Sequence, residues 1–476
     1  MNPSAVEWSA ILPLCIVSGA ALLVVLADAL FKAGRTLSPF LALAALAGAA
    51  AAAIAAPGET ASTAVLAGMI RTGAFASYCT LVFCTAGLLT VLLSISRIHD
   101  ALDEQGEYYA LILFAVAGMI LMASAGDLVV FVLGLELMSV SFYILAGFAR
   151  GRVASNEAAL KYFLLGAFST GFLLYGIALV YGATGSTGLP WVPSSPGGSG
   201  QPLVLLGGLA LLMIGLLFKV GAVPFHMWVP DVYEGSPTTV SAFMSTGGKA
   251  AAFSGFLIIF TPAALLAQPA LRDVLGVVAA VSMVTGNVIA LAQSSIKRML
   301  AYSSIAHAGY ILSGVIASNA AGTGGVLFYL MAYTMMNAGA FGVVSVLEKS
   351  DGSPLTFDEC AGLARRSPLL AGLAGVFMFS LAGVPPFAGF FGKYYVFTGA
   401  VEAGYTWLAI VGVLMSVVSA YYYLRLVVVM YFNDGGELPA FTGRRAGLTA
   451  LVIAAAALIG FGLFPSILLA LTARCF

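Results

Sequence analysis

Charged residues are scarce in this chain. Only 8% of its 476 residues are Asp, Glu, Lys or Arg, whereas soluble domains contain about 25%, and 61% are hydrophobic. This composition excludes a soluble fold. Lys plus Arg and Asp plus Glu number 20 each, so neither sign dominates and nothing suggests a nucleic-acid partner.

Cysteine is sparse, and nucleotide-binding motifs are missing. The five cysteines are an odd number without CxxC spacing, which argues against a disulfide framework and against iron–sulfur ligation. No GxGxxG motif, P-loop or metal-spaced Cys/His cluster is present in the sequence. We therefore expect this chain to bind no nicotinamide, flavin, nucleotide or iron–sulfur cluster by itself.

Long apolar runs fill most of the chain. Runs of about 20 residues are long enough to cross a bilayer as helices, and their continuity argues against barrel strands. A first run preceded by Glu7 is interpreted as an anchor helix and not as a cleaved signal. The sequence predicts an all-α membrane protein with about fourteen transmembrane helices, at residues 10–30, 37–56, 74–95, 108–125, 128–149, 158–182, 203–224, 236–261, 273–293, 299–317, 323–347, 368–400, 405–431 and 446–470.

Basic residues indicate the orientation of these spans. With the N-terminus outside and the spans alternating, only Arg71, Arg272 and Arg474 lie on the outer side, and the other basic residues outside the spans lie inside. The positive-inside rule favours this distribution. Both termini are therefore expected on the outer side of the membrane.

Two of the predicted spans contain residues that break helices. The seventh contains Gly221 and Pro224, and the twelfth contains Gly383, Pro385 and Pro386. Proline removes a backbone donor and glycine weakens a helix, so both spans are expected to be interrupted. Similar breaks five spans apart are typical of transporters with an internal repeat.

Single ionisable residues stand inside otherwise apolar spans. A charge at bilayer depth costs about 2.5 to 3.5 kcal/mol on insertion scales, so such residues are expected to serve a function. One glutamate cannot neutralise four lysines, and a lysine without a counter-charge in a low dielectric can exchange a proton near neutral pH. The set therefore predicts a relay for protons or ions, made of Glu136, Lys161, Lys219, Lys249 and Lys393.

Three candidates also have simple structural interpretations. Lys161 follows Glu157 by four residues, so an ion pair at the membrane surface explains it as well as a relay does. His307 has small neighbours and is either a relay group or a buried histidine bonded to a hydroxyl. His226, near the inner end of the seventh span, either connects the relay to the inner solvent or anchors the helix at the interface.

Six motifs are spread over residues 134–393. They are Gly-Leu-Glu-Leu-Met at 134–138, Glu-Ala-Ala-Leu-Lys-Tyr-Phe at 157–163, Phe-Lys through His-Met-Trp at 218–228, Pro-Asp-Val-Tyr-Glu-Gly-Ser-Pro-Thr at 230–238, Lys-Arg-Met-Leu-Ala-Tyr-Ser-Ser-Ile-Ala-His at 297–307, and Leu-Ala-Gly-Val-Pro-Pro through Gly-Lys at 381–393. Together they resemble the antiporter-like, proton-pumping subunits of respiratory complex I. The Pro-Asp-Val-Tyr-Glu-Gly segment resembles the N type of these subunits more than the M and L types.

The resemblance implies an internal symmetry and roles for the charged residues. It implies two inverted five-helix repeats, helices 4–8 and 9–13, with helices 7 and 12 broken. The corresponding divisions are residues 1–100, 105–262, 272–432 and 446–470. The positions that match the hydrophilic axis of the family are Glu136, Lys161, Lys219, Lys249, His307 and Lys393. Glu136 is expected to pair with Lys219. Lys249 is expected to link the two repeats, and Lys393 to serve the outer exit.

The resemblance also implies a function. It implies a proton-translocating subunit of NADH:quinone oxidoreductase in a bacterial inner membrane, with both termini periplasmic. FMN, the iron–sulfur clusters and the quinone site are expected in partner subunits, and the neighbours are expected to be lipids and membrane subunits of the K, M, J, A and L types. Two alternatives stay open: a subunit of a monovalent cation/proton antiporter, and a structural membrane scaffold.

Overall fold

Helices make up almost all of the structure. The computed structural model describes residues 5–31, 37–56, 63–101, 105–189, 202–349, 353–435 and 445–475. Within these ranges the α-helices, in chain order, are α1 (Ala5–Phe31), α2 (Leu37–Ala55), α3 (Ala74–Ala101), α4 (Gln105–Ala123), α5 (Leu128–Ala146), α6 (Val153–Thr184), α7 (Pro202–Val220), α8 (Trp228–Gly235), α9 (Thr238–Phe243), α10 (Lys249–Ile259), α11 (Pro262–Ala267), α12 (Pro269–Leu291), α13 (Ile296–Ala317), α14 (Ala320–Leu347), α15 (Leu363–Arg366), α16 (Pro368–Ala382), α17 (Ala388–Glu402), α18 (Thr406–Phe432), α19 (Arg445–Leu463) and α20 (Pro465–Thr472).

The predicted spans are present in this set. Thirteen helical segments of the described ranges are long and apolar enough to cross a membrane. One of them consists of α9 and α10, joined by the π-helical turn Met244–Gly248. The predicted twelfth span is divided between α16 and α17, which have 15 residues each. The prediction of an all-α membrane protein with about fourteen spans is confirmed.

A short hairpin between α2 and α3 has no counterpart in the sequence prediction. Strands β1 (Thr63–Val65) and β2 (Ile70–Thr72) pair antiparallel, and Ile70 forms a further bridge with Ala125. Strands of three residues are too short to produce a recognisable alternation of polar and apolar side chains. Hydropathy therefore identified the helices on both sides and missed the strands.

Three spans form the centre of the molecule. In the α9–α10, α13 and α14 spans, 94% of the most apolar segment is buried inside the protein, whereas α1 and α18 are mainly peripheral. In a membrane protein such central helices are shielded from lipid by the helices around them. Lys249 and His307 belong to this central group, so two candidate residues lie on spans that are buried inside the protein.

Glycine and proline cause the two predicted breaks. Gly221, directly after α7, has φ of 73°, and Gly383, directly after α16, has φ of 87°. This left-handed backbone is favourable only without a Cβ atom, and it ends a helix. Proline follows within three residues in both cases, and the Val223–Pro224 and Pro385–Pro386 bonds are cis. The interruption of spans seven and twelve is confirmed.

Other glycines allow two helix pairs to pack at close range. A Cβ atom added to Gly118 on α4 would lie 2.5 Å from the carbonyl oxygen of Gly134 on α5. A Cβ atom added to Gly286 on α12 would lie 2.6 Å from the backbone nitrogen of Ala306 on α13. Both distances are shorter than any stable contact, so a larger residue would separate the helices.

Replacing Gly286 by valine is expected to reduce the amount of folded protein sharply. The added carbon atoms have no space between α12 and α13, and overpacking of this kind costs about 1 to 3 kcal/mol. The matched control is Gly171→Val, because a Cβ atom there meets nothing within 4 Å. Size-exclusion chromatography of detergent extracts measures the folded fraction. Equal yields of the two variants would contradict the close packing.

Candidate functional site: buried lysines and a histidine at the centre of the bundle

Lys219 lies in the last turn of α7, just before the first break. Its side chain is buried, and Nζ donates hydrogen bonds to Ser139 Oγ at 2.8 Å and to Tyr143 OH at 3.3 Å, both on α5. The amine also lies 5.7 Å from the centre of the Tyr143 ring. Because hydroxyl groups both donate and accept hydrogen bonds, they can hold this amine in either protonation state.

Glu136 lies one turn before Ser139 on α5 and is half-buried. Its Oε1 accepts a hydrogen bond of 2.7 Å from Thr170 Oγ1 on α6. The expected direct pair with Lys219 is not formed in this structure, because the bonds of that amine go to the two α5 hydroxyls. The carboxylate nevertheless lies one helical turn along α5 from Ser139, which accepts a hydrogen bond from the amine. The two groups are therefore electrostatic neighbours and not a contact ion pair.

Lys249 follows the π-helical turn Met244–Gly248 in the middle of the eighth span. A π-helical turn inside an α-helix is often found at a functional site. The Lys249 side chain is buried, and Nζ donates to both the carbonyl and the hydroxyl oxygen of Ser304 on α13. It also lies 5.8 Å from the ring centre of Tyr333 on α14. Lys249 therefore connects the eighth span with two central helices.

His307, in the middle of α13, is enclosed by hydroxyl groups. Its Nδ1 lies 2.8 Å from Tyr329 OH and its Nε2 lies 3.1 Å from Tyr423 OH. Tyr423 OH is itself hydrogen-bonded to Ser303 Oγ. The ring of Tyr333 is tilted against the imidazole, with 5.1 Å between the ring centres. Each ring nitrogen has a partner that can donate or accept, so either neutral tautomer fits the site.

Lys393 lies on α17, after the second break. Its side chain is buried, and Nζ donates to the carbonyl oxygens of Leu381 at 3.1 Å and of Ala382 at 3.0 Å. These carbonyls belong to the last turn of α16, where a helix leaves its acceptors without internal partners. The amine also lies 4.9 Å from the ring centre of Tyr310. The broken helix thus supplies the acceptors that hold the lysine.

These groups form one row through the centre of the bundle, which we call the central row: Lys249, Ser304, His307, Tyr310 and Lys393. The three α13 residues are spaced by three positions, so they lie on the same face of the helix. The His307 and Tyr310 rings pack edge to face, with 5.5 Å between the ring centres. Amines, hydroxyls and an imidazole can bind a proton and pass it to a neighbour. The structure brings three of the predicted residues into this row.

Lys161 and His226 lie apart from the central row. Lys161 is 42% exposed and forms ion pairs with Glu157 at 2.7 Å and with Asp231 at 2.9 Å. His226 lies in the break between α7 and α8, and its Nδ1 is buried without a hydrogen-bond partner in the described part of the chain. Burial lowers the pKa of His226, so its imidazole is neutral at neutral pH. The ion-pair interpretation of Lys161 agrees with its position.

The donor atoms of the central row suit protons better than metal ions. Metal ions in proteins prefer carboxylate, thiolate and imidazole ligands, and the row offers one imidazole among amines and hydroxyls. Across the ranges that the structure describes, no three His, Cys, Asp or Glu side chains are grouped to hold a metal ion. The cysteines are all free thiols: Cys15, Cys79, Cys84, Cys360 and Cys475.

A protein-family model covers the whole central row. The model described as "NADH:quinone oxidoreductase/Mrp antiporter, TM" matches residues 125–419, which also include both broken helices. The chain belongs to this family. The resemblance predicted from the sequence motifs is therefore confirmed, and the buried lysines lie in the part of the chain that the family shares.

Individual members of the family resemble the chain over most of its length. NADH-quinone oxidoreductase subunit N of Trichlorobacter lovleyi is 51% identical over 403 residues, which are 83% of this chain and 82% of the relative. A chain of respiratory complex I from Thermus thermophilus is 37% identical, with a TM-score of 0.83 and coverage of 97% and 99%. A chain of the Mrp complex from Dietzia sp. DQ12-45-1b also has a TM-score of 0.83, covering 98% and 96%, but its identity of 21% shows the shared fold alone.

The hydroxyl groups of this family member are the part of the site that the sequence analysis missed. The hydroxyl groups of Ser304, Tyr329 and Tyr423 bind the ionisable residues, and Tyr310 contacts Lys393 through its ring. Serine and tyrosine are common in spans, and neither stands out in a search for isolated charges. One signal was available, because Ser304 and Tyr310 flank His307 at intervals of one helical turn.

Proposed function

We propose that this chain is a proton-translocating membrane subunit of NADH:quinone oxidoreductase. Electron transfer from NADH to quinone in partner subunits supplies the energy, and this chain moves protons across the membrane. The similarity to subunit N of Trichlorobacter lovleyi and to a chain of Thermus thermophilus complex I supports the assignment. The observation that carries it is the central row, in which buried amines meet hydroxyls and carbonyls in place of carboxylates.

The first half of the site sets the charge of Lys219. Glu136 attracts the amine from a distance, and electrostatic interactions at low dielectric change steeply with separation. A small shift of α5 against α7 therefore changes the proton affinity of the lysine. We place the entry of the proton here, with His226 connecting the site to the inner solvent and Lys161 at the edge of the same path.

The second half of the site carries the proton outward. Lys249 receives it and passes it through Ser304 to His307, whose hydroxyl partners surround the ring. Lys393 follows, beside Tyr310 and the end of α16. Bound water completes the gaps between these groups. Lys393 serves the outer exit in this scheme.

The two halves correspond to two inverted repeats. We assign residues 105–262 to the first repeat and 272–432 to the second, between N-terminal helices in residues 1–100 and a C-terminal helix at 446–470. Matching helix contacts support this division: α4 packs on α5 as α12 packs on α13, and α6 packs on α8 as α14 packs on α17. Each repeat then contains one broken helix and one lysine beside the break.

The surroundings of the chain follow from the same proposal. We place it in the inner membrane of a bacterium, with both termini on the periplasmic side, among lipids and membrane subunits of the K, M, J, A and L types. FMN, the iron–sulfur clusters and the quinone site belong to partner subunits. Few basic residues on the proposed outer side support the orientation.

Purification of the chain from its native membrane tests the assignment. We expect redox subunits and other membrane subunits to co-purify with it, and NADH:quinone reductase activity to be found in the same fraction. A cation/proton antiporter is the second candidate, because the Mrp chain shares the fold. Cation-dependent proton transport by the chain in a complex without redox subunits would support the antiporter and contradict the proposal.

Replacing Lys161 by alanine is expected to lower proton-coupled quinone reductase activity by no more than about fivefold. The side chain is 42% exposed, and exposed ion pairs contribute about 0.2 to 1 kcal/mol. The measurement is the NADH:quinone reductase rate of membrane vesicles, normalised to assembled complex. A loss as large as that of a buried-lysine variant would show that Lys161 carries the proton itself.

A further inference from the structure

In chain order the short helix α8 lies between Lys219 and Lys249. It follows the break after Lys219, and Gly235 is its last residue. Four α8 side chains contact neighbouring helices: Trp228, Asp231, Tyr233 and Glu234. The first and third are buried, and the two carboxylates lie at the surface end of the bundle. The two carboxylates share one arginine on α13, and the two aromatic side chains pack on α6 and α14.

The carboxylates tie α8 to two neighbouring helices. Arg298 Nη1, on α13, lies 3.0 Å from Asp231 Oδ1 and 2.8 Å from Glu234 Oε2. Lys161 Nζ, on α6, lies 2.9 Å from Asp231 Oδ2. We call Lys161, Asp231, Glu234 and Arg298 the α8 cluster. Asp231 is its central member, because its two oxygens bind cations from two different helices.

The charge of Asp231 is constant at working pH. Partial burial acts to raise the pKa of this carboxyl, but hydrogen bonds from Lys161 and Arg298 outweigh it, so the pKa lies below its ordinary value. The buried Lys297, next to Arg298, adds a hydrogen bond of 2.8 Å to the carbonyl of Ser236 at the end of α8. The contacts between α8 and α13 therefore include ion pairs to carboxylates and a hydrogen bond to a backbone carbonyl.

On its other side α8 is connected to Lys219. Trp228 Nε1 donates a 3.0 Å hydrogen bond to the carbonyl of Phe218, the residue before Lys219. The indole stacks on Tyr162 with 4.5 Å between ring centres and 11° between planes. Tyr162 in turn packs edge-on against Tyr143 at 4.8 Å, and Tyr143 is a hydrogen-bond partner of Lys219. A displacement of α8 therefore moves the groups that hold this lysine.

The same helix contacts the span of Lys249 through Tyr233. The carbonyl oxygen of Tyr233 accepts a 2.6 Å hydrogen bond from Ser241 Oγ on α9, in the same span as Lys249. Arg298 and Lys297, which bind α8 and its end, lie on α13, as does Ser304, whose two oxygens accept the hydrogen bonds of Lys249. Trp228 and Tyr233 also pack on each other, with 5.9 Å between ring centres. One short helix thus contacts both the surroundings of Lys219 and the span that carries Lys249.

We propose that Asp231 is a positioning residue that fixes α8 and thereby couples the Lys219 site to the Lys249 site. The inference rests on the proposed function and names a residue that does not itself carry the proton. The α8 cluster holds the helix against α6 and α13, and the hydrogen bonds of Trp228 and of the Tyr233 carbonyl transmit its position to the two lysine sites. Without the Asp231 charge, the ion pairs of this residue with both α6 and α13 are lost. A change at the Lys219 site then no longer affects the Lys249 site.

The test uses membrane vesicles that contain the complete respiratory complex. Asp231→Asn retains the shape of the side chain and removes its charge. We expect the number of protons translocated per NADH oxidised to fall below the wild-type value, with an unchanged amount of assembled complex. Asp231→Glu retains the charge and is expected to restore most of the ratio. If Asp231 were needed only for local packing, the longer glutamate side chain would not restore it.

A second variant examines the partner of the carboxylate. Arg298→Gln is expected to cause a similar loss, and the double variant with Asp231→Asn to lose less than the sum of the two single losses, because the residues share one contact. Asp434→Asn is the matched control, since its ion pair with Arg365 is fully at the surface. A wild-type ratio in Asp231→Asn, equal losses in Asp231→Glu and Asp231→Asn, or additive losses in the double variant would overturn the proposal.

Lys219→Ala in the same vesicles separates this proposal from the function itself. If Lys219→Ala lowers the ratio and Asp231→Asn does not, only the positioning role is wrong. If neither variant changes the ratio, the proton-translocating role of the chain is wrong as well.

Discussion

Replacing Lys219 by alanine is expected to reduce proton-coupled quinone reductase activity by about a hundredfold, because transfer by a positioned proton carrier contributes about 10² or more to a rate. The amine is buried between Ser139 and Tyr143, and these hydroxyls cannot substitute for its proton. Glu136→Ala is expected to reduce activity in the same direction, because it removes the charge that attracts the amine. The reductase rate and the acidification of inverted vesicles measure both effects.

Two further variants separate proton binding from packing. Lys219→Met retains an unbranched side chain of similar length without a proton site, and it should be as inactive as the alanine variant. Lys349→Ala, at a partly exposed lysine paired with Glu359, should retain activity. Assembly of the complex is monitored on native gels. Normal coupled activity in both Lys219→Ala and Glu136→Ala, with assembly intact, would reject the role of this pair.

Replacing Lys249 by methionine is expected to disconnect the two halves of the path. Lys249 is the residue that joins the eighth span to α13, through both oxygens of Ser304. Methionine fills the space, so the expected loss of proton translocation is again about a hundredfold and reflects the missing amine. The measurement is the rate of vesicle acidification at saturating NADH, compared with the amount of assembled complex.

Ser304→Ala is the graded control for this prediction. It removes the hydroxyl acceptor of Lys249 and leaves the backbone carbonyl, so the loss should be smaller than in Lys249→Met. A single lost hydrogen bond is worth about 0.5 to 1.5 kcal/mol, which corresponds to about a two- to tenfold effect. Proton translocation at the normal rate in Lys249→Met would show that the path avoids the centre of the bundle.

Much of the fold was predictable because hydropathy and helix breakers act locally. A run of apolar residues becomes a span whatever its neighbours are, and Gly383 before two prolines ends a helix in any context. For the same reason Lys219, Lys249 and Lys393 could be selected as buried charges from their surroundings in the sequence alone. All three are buried in the structure.

The remaining features depend on how helices pack, which no local pattern encodes. The π-helical turn before Lys249 and the three-residue strands of the hairpin leave no periodic signal. The contact between Glu136 and Lys219 was expected from resemblance, yet the rotation of α5 presents Ser139 and Tyr143 to the amine. The hydrogen-bond partners of a buried lysine depend on how the helices are oriented against each other, and only the three-dimensional structure shows this.

The most direct measurement is the number of protons translocated per NADH oxidised by a complex in which Lys219, Lys249 and Lys393 are all methionine. We predict a lower ratio than in the wild type, or loss of coupled turnover, with the complex still assembled. An unchanged ratio at an unchanged turnover would contradict proton transfer through these lysines and would identify the chain as a structural scaffold.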